Sequence, residues 1–129
     1  MKHHLFTDLE LYKACRRLRK DIAKLVGTNF PKDEKFRLAD QIIRASRSVT
    51  ACIAEGYGRF YYKENVAFCR KARGSLSETL EHLITAYDAN YISHEILVTY
   101  KTQIDLCNKL LNGYISYHQK AKPEKEIVE

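Results

Sequence analysis

Apolar residues recur along this chain every three or four positions in four separate runs, and that spacing commits it to helices packed by their apolar stripes. Leu11, Cys15, Leu18, Ile22 and Leu25 form the first run, stepping by four, three, four and three. Such steps match the 3.6-residue turn of an α-helix, so each run collects its members on one side. The stretch from Gly27 to Pro31 interrupts it, because the residue before a proline avoids helical backbone. Ala39, Ile42, Ser46, Val49, Ile53 and Gly56 make the second stripe. It ends in Gly56-Tyr57-Gly58, where a glycine is expected to turn left-handed and close the helix. The third stripe is Cys69, Leu76, Leu80, Leu83 and Tyr87, with Ala72 or Arg73 at the missing step. The fourth runs through Leu97, Tyr100, Ile104, Cys107, Leu111, Tyr114 and His118, behind an N-cap expected at Ser93.

No segment alternates with the period of two that a strand requires. Four helices of roughly 20–27 residues joined by short connections predict an all-α fold. Its arrangement is an antiparallel, up-down-up-down four-helix bundle. A single domain over residues 1–120 is expected, followed by a flexible tail over 121–129 that carries Pro123 and loses the periodicity.

At 129 residues and 45% hydrophobic content the chain can bury a core without metals or disulfides. Its longest uncharged stretch, Leu110 to Gln119, is half the roughly 20 residues that a membrane span needs. Met1 to Asp8 holds no apolar run of the kind that directs secretion. A soluble, cytoplasmic protein without membrane contact is the expectation.

The four cysteines, Cys15, Cys52, Cys69 and Cys107, fall one per helix. Measured from the connections, Cys52 and Cys69 share a layer, while Cys15 and Cys107 lie roughly 10 Å from it at 1.5 Å per residue. A tetrahedral zinc needs every sulfur about 2.3 Å from the ion, so the four are read as reduced core residues. Glu78, Glu81 and His82 lack the matching set on a second helix that a di-iron bundle uses. Gly56-x-Gly58 follows a helix and lacks the lysine of a phosphate loop. His82, His94 and His118 have no nucleophile or carboxylate constellation around them. The sequence therefore predicts no enzyme, no cofactor and no metal.

Charge is uneven along the chain. The formal total is +6; residues 35–73 hold nine basic against three acidic residues, and 74–106 hold Lys101 against five acids. That asymmetry points to a polyanion or to oriented self-association. On the second helix, Arg37, Arg44, Arg47 and Arg59 fall within about 120° of one another, opposite the apolar stripe, and Asp40 and Glu55 share that arc, so it is basic but not purely so. Lys63 and Arg70 project outward from the third helix. These six are the candidate nucleic-acid contacts, since arginine forks bind phosphate with two parallel hydrogen bonds. Between the two helices runs Tyr57-Gly58-Arg59-Phe60-Tyr61-Tyr62-Lys63. Such an aromatic run either stacks unpaired bases or forms an end cap or subunit contact. Tyr57, Phe60, Tyr61 and Arg73 are the candidate interface residues, with Arg73 expected in an intersubunit or intramolecular salt bridge.

Four motifs carry a resemblance. They are Phe6-Thr7-Asp8-Leu9, Phe30-Pro31-Lys32, Ile53-Ala54-Glu55-Gly56-Tyr57-Gly58-Arg59 and Ala72-Arg73-Gly74-Ser75-Leu76-Ser77-Glu78. Over about Phe6 to Tyr117 the chain resembles the small bacterial four-helix bundle proteins encoded in ribosomal RNA intervening sequences. It is similar also to the accessory variability (Avd-like) proteins of diversity-generating retroelements. The resemblance implies a ring-shaped homopentamer with a basic surface, and in the retroelement branch a ring that binds nucleic acid and a reverse transcriptase. The chain departs from a common pattern at Thr50-Ala51-Cys52-Ile53, where many members carry Pro-Ala-Asn-Ile. Two functions follow as expectations: an oligomeric RNA- or DNA-binding accessory protein, or an adaptor ring for a protein partner in which the cations serve subunit contacts.

Overall fold

The computed structural model describes residues 5–59 and 61–120, and every regular element among them is helical. The four long helices are α1 (Glu10–Asn29), α2 (Leu38–Tyr57), α3 (Tyr62–Asp88) and α4 (His94–Lys120). Short 3-10 turns at Phe6–Asp8 and Lys32–Glu34 precede α1 and α2. Each helix packs against the next and α4 returns to α1, which closes a four-helix bundle. Side-chain pairs fix the antiparallel order. Ser75 Oγ lies 2.9 Å from Ser48 Oγ, Arg73 Nη1 donates to Asn112 Oδ1 at 2.8 Å, and the Tyr100 hydroxyl donates to the Asp21 carbonyl at 2.9 Å. The expected tail, residues 121–129, lies outside the described residues, as does Phe60.

The stripes read from the sequence on α1 and α2 are buried in full. Leu18, Ile22, Ile42, Ile53, Leu76, Leu83, Ile104 and Leu111 are among the most deeply buried side chains. Burying each contributes about 1.5–3 kcal/mol relative to exposure. On α3 the seam differs from expectation. Thr79 and Ala86 are fully buried, whereas Leu80 is half-buried and Tyr87 is exposed. Ala72, not Arg73, fills the missing step. Small residues take these places because α2 and α3 come close together, and Thr79 remains satisfied in the seam by donating to the Ser75 carbonyl at 2.8 Å.

Gly56 marks a tight contact between α2 and α3. A Cβ placed there would stand 2.7 Å from Asn65 Oδ1 and 2.9 Å from the Cβ of Phe68. The glycine is therefore required by contact across the helix pair, and the expected left-handed closure is absent: Gly58 has φ −75° and no described glycine has a positive φ. Asn65 cannot easily yield. Its amide nitrogen lies 3.1 Å from the Tyr114 hydroxyl and 3.3 Å from His118 Nε2, and its carbonyl oxygen accepts from Cys69 Sγ at 3.7 Å.

The left-handed residue sits at the other end of the bundle. Asn90 has φ 64°, and its N–H donates to the Tyr87 carbonyl while that of Tyr91 donates to the Ala86 carbonyl. This paired closure of α3 uses asparagine where glycine is commonest. Ser93 then caps α4 as expected, accepting the Ile96 N–H at 3.2 Å. The same corner is tied to the turn before α2, because the Tyr91 hydroxyl donates to Glu34 Oε2 at 2.6 Å and the Leu38 N–H to Glu34 Oε1 at 3.1 Å. Those two donors, the tyrosine first, hold the Glu34 carboxyl below its ordinary value of 4.5.

Two predictions follow from this packing. Gly56→Ala should lower stability by about 1–3 kcal/mol through overpacking, whereas Gly74→Ala, in open space on α3, should raise it by about 0.5–1 kcal/mol; urea denaturation followed by circular dichroism reads both. A lowered folded-state value means that the Glu34 contribution is present above the ordinary value of 4.5 and is lost as pH falls through the folded one. The stability difference between parent and Tyr91→Phe should accordingly be largest near neutral pH and shrink below about 4.5; a difference unchanged down to pH 2 contradicts it.

Candidate nucleic-acid interface

With its apolar stripe turned to the core, α1 presents the opposite side to solvent. Lys13, Arg16, Arg17, Lys20 and Lys24 are all exposed there, within an arc of about 100° and over about 16 Å of helix axis. Lys13 pairs with Glu10 at 3.3 Å. Arg16, Arg17, Lys20 and Lys24 form no ion pair among the described residues. The one acid alongside, Asp21, accepts from Gln103 Nε2 at 3.2 Å. Counted by helix, α1 holds six basic residues against two acidic ones, while α2 and α3 are each balanced. The largest unneutralised charge in the bundle therefore lies on α1.

The six residues singled out from the sequence are exposed, but they do not form one site. Arg44 pairs with Asp40 at 3.1 Å on its own helix. Arg59 lies beyond the end of α2, where it pairs with Glu55 at 2.7 Å and Glu64 at 3.9 Å and stacks 5.0 Å from the Phe68 ring. Arg37 occupies the N-cap of α2 and lines a groove toward α3 with Gln41, Glu81 and His82. Lys63 and Arg70 flank a separate groove of about 570 Å³ with Tyr62, Val66 and Gln119. Arg47 alone turns toward α1, in a groove it shares with Arg16, Arg19 and Lys20.

Among the candidate interface residues, Tyr57 is half-buried and packs edge-on to Phe6 at 6.5 Å, which in turn packs on Tyr12 at 4.9 Å. It thus joins the α1 entry to the end of α2. Tyr61 is exposed at the N-cap of α3, and Phe60 lies outside the described residues. Within the chain Arg73 donates to the neutral Asn112 and forms no ion pair among the described residues.

The cysteines sit as two pairs. Cys15 and Cys107 meet between α1 and α4, where their shared hydrogen bond and burial push the Cys15 thiol up. Cys69 lies near Cys52 between α2 and α3, and burial pushes it to about 11. All four are free thiols, and no group of three or more potential metal ligands occurs among the described residues. No described helix is long and apolar enough to cross a membrane.

The α1 face escaped the sequence reading because charge was summed over stretches of chain. Residues 1–34 hold eight basic against five acidic residues; three of those acids, Asp8, Asp33 and Glu34, flank α1 and dilute the sum, yet none of them belongs to the helix. The signal was present in the spacing Lys13, Arg16, Arg17, Lys20, Lys24, which is the complement of the apolar stripe.

Fold and surface together define an antiparallel helical bundle with one strongly basic outer face. The family model described as 23S rRNA-intervening sequence protein matches residues 7–113, and the chain belongs to that family. Among solved structures it is similar to a protein of unknown function from the S23 ribosomal protein family of Bacteroides thetaiotaomicron. That likeness has a TM-score of 0.72 at 20% identity and covers 81% of this chain and 97% of the other. At that identity the likeness establishes the fold. None of the curated proteins compared matches the chain.

Proposed function

We propose that this chain is a non-enzymatic, cytoplasmic accessory protein that binds the phosphate backbone of a nucleic acid through its basic surface. The observation that carries this reading is the α1 face, where Arg16, Arg17, Lys20 and Lys24 stand exposed without ion-pair partners among the described residues. Arg47 extends that surface onto α2, while Arg44 and Arg59 are drawn to neighbouring carboxylates and contribute less. Unpaired cations in a row attract a polyanion because each phosphate contact releases condensed counterions. The family description refers to 23S ribosomal RNA, which makes RNA the first ligand to test, ahead of DNA.

A second reading draws on α4. Val98, Leu106 and Tyr117 share its outer side and are 47%, 47% and 67% exposed. Apolar side chains along one helix face suit a partner chain. In this reading copies of the chain associate into a ring, a homopentamer by the resemblance, and the ring serves as an adaptor for a protein such as a reverse transcriptase. The acid-rich 74–106 segment of one copy would then face the basic side of its neighbour. A head-to-tail contact of that kind closes into a ring when its rotation permits.

For the first reading, a short single-stranded RNA should bind with a log-log salt slope of about −3 for four phosphate contacts. Changing Arg16, Arg17 and Lys20 to Glu together should abolish binding and leave the helical circular dichroism intact. Fluorescence anisotropy measures both, and a triple variant that binds as the parent does removes α1 as the site. For the second, light scattering after size exclusion should show an oligomer that Leu106→Lys dissociates. An oligomer indifferent to that change contradicts the use of the α4 face.

A further inference from the structure

We infer that the groove between α1 and α2 is a binding site for a single phosphate group at the edge of the α1 face, with which it shares Arg16 and Lys20; this rests on the nucleic-acid reading and gives the ligand group that one subsite of it takes. The groove has a volume of about 320 Å³. Arg16, Arg19 and Lys20 enter it from α1 and Arg47 from α2, with Ser46 on its floor and no carboxylate in its lining. Arg44 and Arg59 are answered by carboxylates and Arg73 by an amide oxygen, whereas Arg16, Arg19 and Arg47, like Arg17, Arg37 and Arg70 outside the groove, have no ion pair among the described residues. The groove differs in gathering three such arginines around one concave site.

Arg19 is the telling member. It is half-buried in the groove wall, and its Nε is shielded from solvent without a hydrogen-bond partner, so the terminal amino groups are what its guanidinium offers a ligand. Three arginines and a lysine around a concave site without a carboxylate leave an anion as the complementary occupant. A tetrahedral phosphate fits because its oxygens accept from several forks at once. The group could be the terminal phosphate of a strand or a phosphodiester within it, and the two sources bind differently.

Inorganic phosphate titrated into the full chain by calorimetry should bind saturably, one per chain. Arg19→Gln and Arg47→Gln should each weaken it tenfold or more, while Lys24→Gln, on the open face, should stay within twofold of the parent. Arg19→Lys, which keeps the charge and loses the fork, should lie between them; it also tests the site if Arg19→Gln does not fold. RNA with a 5′-phosphate binding at least fivefold tighter than its 5′-hydroxyl counterpart, with the preference erased by Arg19→Gln, assigns the groove to a strand end. Equal affinities, both weakened by Arg19→Gln, assign it to the backbone. No saturable phosphate binding, or equal losses in Lys24→Gln and Arg19→Gln, overturns the inference. If RNA binding survives that result, the broader reading stands alone; if phosphate binds and RNA does not, the broader reading is the one that fails.

Discussion

The closeness of α2 to α3 governs the rest of the bundle. These helices meet at Gly56, where the absence of one Cβ lets Asn65 and Phe68 approach the α2 backbone. Ala72, Thr79 and Ala86 continue the same short spacing along α3. Because Asn65 is held there, its amide can reach Tyr114 and His118 on α4, so a contact set by backbone on one side becomes a polar tie on the other. Interior polar groups of this kind lock a packing only when every partner is in register. The α2/α3 pair therefore acts as the spine on which α4 is seated. With α2 and α4 fixed, α1 fills the remaining corner with its apolar stripe inward, and its cations have only one direction left.

Much of this was legible in the chain before any coordinates. Stripes of three and four steps found α1 and α2 completely, and the Ser93 cap located the start of α4. The α3 seam was misread because side-chain size was taken as the guide to what faces inward. Leu80 and Tyr87 are larger than Thr79 and Ala86, yet a tight helix pair selects for small volume, and periodicity cannot sense the distance between axes. The same blindness affected Gly56. A glycine near a helix end suggests a left-handed turn, but here the end is ordinary and the demand comes from a neighbour nine residues further along. Asn90 does the work expected of that glycine, at a connection whose residues look equally suited to a loop.

The charged surface was legible only in part, for a related reason. Arg44 and Arg59 each have an acid four residues before them, Asp40 and Glu55, and each is paired to it. Such pairs are worth little in stability, but they take up the donors a phosphate would use. On α1, Glu10 pairs with Lys13, while Asp21, four residues after Arg17 and three before Lys24, accepts from Gln103 and pairs with neither. Neutralisation along a helix, not the abundance of arginine, decides where the unspent charge lies.

The placement of the thiols lends the molecule a built-in chemical clock. Cys15 and Cys107 are sealed between one pair of helices and Cys69 between another, and only a thiolate in contact with reagent reacts. Alkylation at the first two sites can proceed no faster than α1 and α4 part, and at the third no faster than α2 and α3 part. The order in which the sulfurs become labelled would thus chart the sequence in which this bundle comes undone.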